Sequence, residues 1–279
     1  MRSRLAAAAV VAIPAALIVA CSAGAGEKAA AAPADRRQAI DKTLRRLEGA
    51  STKFEARAYR DGKGALLPYR LFRPPAVPGT KYPMIVFLHG SNGAGADNLR
   101  QISGANLLGS SLWILPENQR RHPAFVLVPQ AMEDWEETDL SGYLFLVSMA
   151  IESLEAEMDV DPSRVYLTGQ SSGGYGAWNL IAHRPDLFAA AVPLCGGGDP
   201  TKAAAMIGIP IWAFVGTADD VVAPDESRRM IAAVKRAGGR PKLTEYPGVG
   251  HDVWLQAYTE PGLLDWIFSQ SRTGARHDP

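Results

Sequence analysis

Residues 165–176 read Val-Tyr-Leu-Thr-Gly-Gln-Ser-Ser-Gly-Gly-Tyr-Gly, and no other stretch restricts the fold so narrowly. A run of β-branched and aromatic residues stops at Gly169-Gln170-Ser171-Ser172-Gly173, and a helix-compatible segment from Tyr175 to Ala182 follows. Strand, sharp turn and helix around G-x-S-x-G form a nucleophile elbow, with Ser171 as the nucleophile. The turn is so tight that the positions two before and two after the serine must be nearly free of side chain, and Gly169 and Gly173 meet that demand. Such an elbow needs a sheet beneath it, with the serine at the end of a strand.

The rest of the chain supplies that sheet. Short apolar runs at about 83–88, 124–129, 164–168, 189–194, 210–215 and 242–246 read as strands. Helical patterns at 143–158, 174–183, 225–237 and 261–270 alternate with them. Strands at 54–60 and 66–72 read as an antiparallel start, and Ile40, Leu44 and Leu47 give 36–48 the spacing of a short amphipathic helix. The expected fold is therefore α/β, with a mostly parallel central sheet and helices on both faces. Residues 36–272 are expected to form one domain, without internal repeats, ending in a polar tail at 273–279.

An elbow serine needs a base and an acid, which follow it in the order acid, then histidine. Of the five histidines, His89 and His122 precede the serine. His183 falls near the end of the helix after the elbow, and His277 lies in the polar tail. That leaves His251, in the Gly-rich loop Tyr-Pro-Gly-Val-Gly-His-Asp-Val-Trp after strand 242–246. The acid is expected after strand 210–215, where Asp219 and Asp220 compete; the spacing Gly216-x-x-Asp219 favours Asp219. Such an acid fixes the histidine tautomer and stabilises the imidazolium. The expected oxyanion donors are the backbone N–H of Ser172 and, from the loop His89-Gly90-Ser91-Asn92-Gly93, that of Ser91. His89 reads as a brace for this loop.

These segments resemble bacterial α/β-hydrolases of the predicted-peptidase, phospholipase/carboxylesterase and polyhydroxybutyrate-depolymerase-like esterase group. The likeness runs over about residues 54–270. It rests on Phe87-Leu-His-Gly90, Val128-Pro-Gln130, Trp135, Asp161 through Trp178, Pro185 through Gly198, Ile209 through Phe214, and Gly250-His-Asp-Val-Trp254. It implies the α/β-hydrolase fold and a serine-esterase mechanism through an acyl-enzyme. Ser172 stands where relatives often carry Met, and Val215 where many carry a second His-Gly histidine; neither removes a catalytic group. Trp135 and Trp254 are expected near an open mouth, as an aromatic wall for an acyl or sugar ring, with Trp254 alternatively packing the histidine loop. Short-chain or polymer-borne esters, such as acetyl or feruloyl groups on polysaccharide or polyester fragments, are the expected substrates. A secreted serine peptidase of the prolyl-oligopeptidase-like type and a non-catalytic binding lipoprotein are the alternatives.

The N-terminus sets the expected compartment. Arg2 and Arg4 precede an apolar run from Leu5 to Val19, and Ile18-Val-Ala-Cys21 reads as a lipobox. Residues 1–20 are expected to be a lipoprotein signal peptide. Cys21 is the expected lipidation site and membrane anchor, and 21–35 a flexible tether; secretion after cleavage elsewhere is the alternative. The other cysteine, Cys195, then has no disulfide partner and reads as a buried small hydrophobe. No C-x-x-C or H-E-x-x-H spacing occurs, so no metal or cofactor is expected. With 29 basic and 29 acidic residues, the chain has no electrostatic footprint for nucleic acid. No obligate protein partner is inferred.

Overall fold

The computed structural model describes residues 34–135 and 142–272. The expected signal peptide, Cys21, most of the expected tether and the polar tail lie outside the described residues. The elements run in chain order as follows. Helix α1 (Ala34–Ser51) leads to β1 (Glu55–Arg60), β2 (Leu66–Phe72) and β3 (Tyr82–Leu88). The short helices α2 (Leu107–Ser111) and α3 (Pro116–Arg121) then precede β4 (Phe125–Pro129), α4 (Gly142–Glu157), β5 (Val160–Gln170) and α5 (Ser172–His183). Next come β6 (Ala190–Leu194), β7 (Trp212–Gly216), α6 (Asp225–Arg236), β8 (Lys242–Tyr246), α7 (Trp254–Ala257) and α8 (Leu263–Phe268).

The strands form an eight-stranded sheet in the order β1-β2-β4-β3-β5-β6-β7-β8. The pairs β1–β2 and β2–β4 are antiparallel, and every later pair is parallel. This is the α/β-hydrolase fold. Strands β3, β4, β6 and β7 are covered on both faces, which explains why their sequences are apolar at successive positions. In β3 every residue is buried. Met84, Val86 and Leu88 face one side, with Leu127, Leu167 and residues of α4, α5 and α6. Ile85 and Phe87 face the other, with Tyr166, α2 and Tyr258. Phe87 meets Tyr258 edge to face at 6.3 Å, and α2 comes close to it because Gly109 has no side chain; a Cβ there would lie 2.2 Å from the Phe87 ring.

Two differences from the expected elements have physical causes. Strand β5 begins at Val160 rather than near 164, because Val160 pairs with Tyr82. Asp161-Pro162, between the expected helix 143–158 and the expected strand 164–168, lies inside it. The register shifts there, and Asp161 accepts hydrogen bonds from the Ser163 amide and the Arg164 guanidinium. Helices α2 and α3 have no clear periodic signal in sequence; α2, Leu-Leu-Gly-Ser-Ser, is buried on every side.

Candidate active site

The elbow is built on steric exclusion. A Cβ on Gly169 would lie 2.2 Å from the Gly173 carbonyl oxygen, and one on Gly173 would lie 2.1 Å from the Leu88 carbonyl oxygen. Gly174 is as tight, 2.2 Å from the Leu194 carbonyl oxygen. These contacts let α5 start directly over the ends of β3, β5 and β6. Ser171, the N-cap of α5, sits at φ 57°, ψ −122°. A non-glycine residue there stores on the order of 1–3 kcal/mol of strain. The surroundings hold it: Ser171 N–H donates to Leu194 O at 3.1 Å, and Ser171 O accepts from Gly174 and Tyr175.

His251 and Asp219 converge on this serine. Ser171 Oγ lies 2.9 Å from His251 Nε2. His251 Nδ1 donates to Asp219 at 2.8 Å (Oδ2) and 3.0 Å (Oδ1). Asp219 Oδ1 also accepts the backbone N–H groups of Val221 and Val222, at 3.0 and 2.9 Å. The Asp219 side chain is 1% exposed and that of His251 18%, whereas Asp220 is exposed. The histidine loop reaches the serine by crossing the end of β7. Val249 O accepts from Ala218 N–H at 2.9 Å. A Cβ on Gly216 would come within 2.3 Å of Val249 O and 2.5 Å of Gly250 O, so the crossing depends on glycine there.

The loop after β3 lies beside the elbow. His89, wholly buried, receives the Ala131 N–H on Nε2 at 3.1 Å, so its proton is on Nδ1, which donates to Gly90 O at 2.8 Å. Burial pushes its pKa down to about 4, only partly opposed by the Gly90 bond. His89 is therefore a neutral brace at physiological pH. Asn106 Oδ1 accepts the Gly90 N–H at 2.9 Å, and its Nδ2 donates to Asn92 Oδ1 at 3.1 Å. Gln130 Nε2 donates to Gly93 O at 3.0 Å. Ser91 and Ser172 occupy the first positions of a 3-10 turn and of α5, where backbone N–H groups have no acceptor within their own helix. The twelve-residue α5 also directs its positive end at Ser171.

Sequence patterns assign no role at the site to Asn106 or Gln130. Their hydrogen bonds span 14 to 37 positions, and no local pattern marks them. The place of Trp135 must be corrected. It is fully buried, 4.8 Å from the His89 ring, with its Cβ against Gly176; it packs beneath the loop after β3 and does not wall an open mouth. Trp254 is half-buried and stands edge-on to His251 at 5.6 Å and 89°, packing the histidine loop. Cys195 is buried at the end of β6 with φ 38°. Its Sγ, a His251 ring nitrogen and an Asp219 oxygen all lie within 4.8 Å of one another.

Comparison with known proteins gives a family and several relatives. The model of the family described as "Dienelactone hydrolase family" matches residues 69–256, more than half of the chain. Poly(3-hydroxyalkanoate) depolymerase C of Paucimonas lemoignei is 30% identical over 136 residues, 44% of this chain and 30% of that protein. The putative esterase NocK of Nocardia uniformis subsp. tsuyamanensis is 28% identical over 163 residues, 54% of this chain and 44% of that protein. The matches thus span less than half the length of these two relatives. A solved thermostable esterase superposes with a TM-score of 0.75 at 36% identity, covering 80% of this chain and 64% of its own.

Proposed function

The chain belongs to the dienelactone hydrolase family, and from that premise we propose that it is a serine carboxylic-ester hydrolase. The observation that carries the reading is the continuous hydrogen-bonded chain from Ser171 Oγ through His251 to Asp219. Ser171 Oγ attacks the ester carbonyl while its proton passes to His251 Nε2. Asp219, held by the Val221 and Val222 amides, stabilises the imidazolium and keeps Nδ1 protonated. The tetrahedral oxyanion is received by the Ser172 and Ser91 N–H groups at the positive end of α5. His251 then returns the proton to the leaving alcohol, and an acyl-Ser171 ester remains. Water, deprotonated by the same imidazole, attacks this ester and releases the acid.

For substrate, we propose short-chain or polymer-borne esters, acetyl and feruloyl groups included. The relative described as a poly(3-hydroxyalkanoate) depolymerase supports a polymer-borne ester. The proposed setting is the cell envelope: residues 1–20 removed, Cys21 lipidated, 21–35 as a tether, and 36–272 as the catalytic domain. The test is hydrolysis of p-nitrophenyl esters from acetate to palmitate by wild-type protein and Ser171→Ala. Ser171-dependent activity that peaks at short chains is expected. Cleavage of peptide amides with no ester hydrolysis would move the assignment to a peptidase, and folded protein inactive on both would overturn it.

A further inference from the structure

One buried nucleophile has no part in the ester chemistry. Cys195 closes β6, and its left-handed backbone is held by Cys195 N–H donating to Phe214 O at 2.9 Å. The thiol lies under the elbow, with donor atoms of Asp219 and His251 within 4.8 Å. A soft sulfur, an imidazole nitrogen and a carboxylate oxygen are the donor types that zinc and cadmium take.

We propose that Cys195, Asp219 and His251 form a site for a thiophilic divalent cation, and that its occupancy switches the Ser171–His251–Asp219 chain off. The switching half rests on the ester-hydrolase reading above. The binding half rests on the donor geometry alone.

The distances define what must move. A tetrahedral cation with nitrogen and oxygen ligands at about 2.1 Å and sulfur at about 2.3 Å needs ligand atoms separated by roughly 3.4–3.6 Å. Asp219 and His251 stand closer than this, at 2.8 Å, and the three-donor cluster is wider, within 4.8 Å. Binding therefore needs a shift that opens the Asp219–His251 pair and draws the three donors to these separations. His251 is the group free to make that shift, because it lies on a loop and is the most exposed of the three. Any such shift disturbs its 2.9 Å bond to Ser171.

The proton balance gives the same result. The cation takes the Nδ1 lone pair, so the Nδ1 proton leaves and neutral imidazole carries its proton on Nε2. That nitrogen can no longer accept from Ser171. The Cys195 thiol loses its proton to solvent, and Asp219 stays a carboxylate. One divalent cation with one thiolate and one carboxylate is neutral overall, which suits a site buried this deeply. Binding therefore releases a proton and strengthens as pH rises.

The probe is Cd²⁺ added to wild-type protein, Cys195→Ala and Cys195→Ser, with Mg²⁺ as control. Two readouts run in parallel: the near-ultraviolet thiolate-to-cadmium charge-transfer band and p-nitrophenyl acetate hydrolysis. Wild type is expected to show the band at one equivalent and to lose hydrolysis in step, with recovery on chelation. Both variants are expected to hydrolyse normally without metal, lack the band, and need on the order of a hundredfold more Cd²⁺ for inhibition. Absence of the band in wild type overturns the site. A band without loss of hydrolysis, or equal inhibition of wild type and a folded variant, overturns the switch. If wild type hydrolyses no ester before metal is added, the enzymatic reading has failed, and the band alone still decides the site.

Discussion

Substituting Asp219 by Asn changes one atom, and the structure determines where that atom goes. Asp219 Oδ1 accepts the Val221 and Val222 N–H groups at 3.0 and 2.9 Å. An asparagine must keep its carbonyl oxygen there, because turning the NH₂ toward two N–H donors would lose both hydrogen bonds, at about 0.5–1.5 kcal/mol each. The amide nitrogen is therefore forced into the Oδ2 position, 2.8 Å from His251 Nδ1. It can only donate, so Nδ1 must accept and the imidazole proton moves to Nε2. The base now faces Ser171 with its proton already in place. The same exchange of acid for amide in an unrelated serine protease lowers kcat by about 10⁴ through this wrong tautomer. A loss of that size equals about 5.4 kcal/mol of transition-state stabilisation. The assay is steady-state hydrolysis of p-nitrophenyl acetate by Asp219→Asn, with Asp220→Asn as the exposed neighbour and urea unfolding to check the fold. The expected loss is near 10⁴ for Asp219→Asn and less than about threefold for Asp220→Asn. An Asp219→Asn enzyme within about tenfold of wild type, or the larger loss at Asp220, would refute the reasoning.

Three further perturbations test the supporting structure. Asn106→Leu leaves the buried Gly90 N–H unpaired and frees the loop that carries the proposed oxyanion donor Ser91; kcat should fall about ten- to a hundredfold with KM little changed, and Asn106→Asp, which keeps the acceptor, should recover part of the loss. Gly216→Ala sets a methyl within 2.3 Å of Val249 O, so the histidine loop must move; kcat should drop at least about tenfold and stability by about 1–3 kcal/mol in denaturant unfolding. His89 has a folded pKa of about 4, below its unfolded value of 6.5. The unfolded chain thus binds the extra proton first on acidification. The contribution of His89 is complete above pH 6.5 and is lost as pH falls toward 4, up to about 3 kcal/mol. Urea unfolding across that window should show a shallower pH slope for His89→Gln than for wild type, and equal slopes would count against a buried neutral His89.

Much of the fold and the core of the site were legible because their requirements are local. The elbow needs glycines at 169 and 173 for reasons of contact, and contact distances of 2.1–2.2 Å explain why. The inner parallel strands announce themselves because both faces are buried, as in β3. Spacing alone separates Asp219 from Asp220, and it is Asp219 that comes within hydrogen-bonding distance of His251. What stayed hidden is long-range. Asn106 reaches Gly90 across 16 positions from a segment with no periodic pattern. Trp135 looks like a rim residue in sequence because its neighbours Glu133, Asp134 and Glu136 are charged, yet it is buried against His89 and Gly176. Cys195 reads correctly as buried, but its proximity to His251 and Asp219 arises from three separate strand ends meeting at one edge of the sheet.

The central claim is that Ser171 is the nucleophile of an acyl-enzyme. The most direct measurement is intact-protein and peptide mass spectrometry after treatment with a fluorophosphonate, which reacts preferentially with an activated serine. The account predicts one adduct per chain, located on the peptide containing Ser171. It predicts no adduct in Ser171→Ala and strongly slowed labelling in His251→Ala. An adduct on another residue, or none on folded wild-type protein, would contradict it.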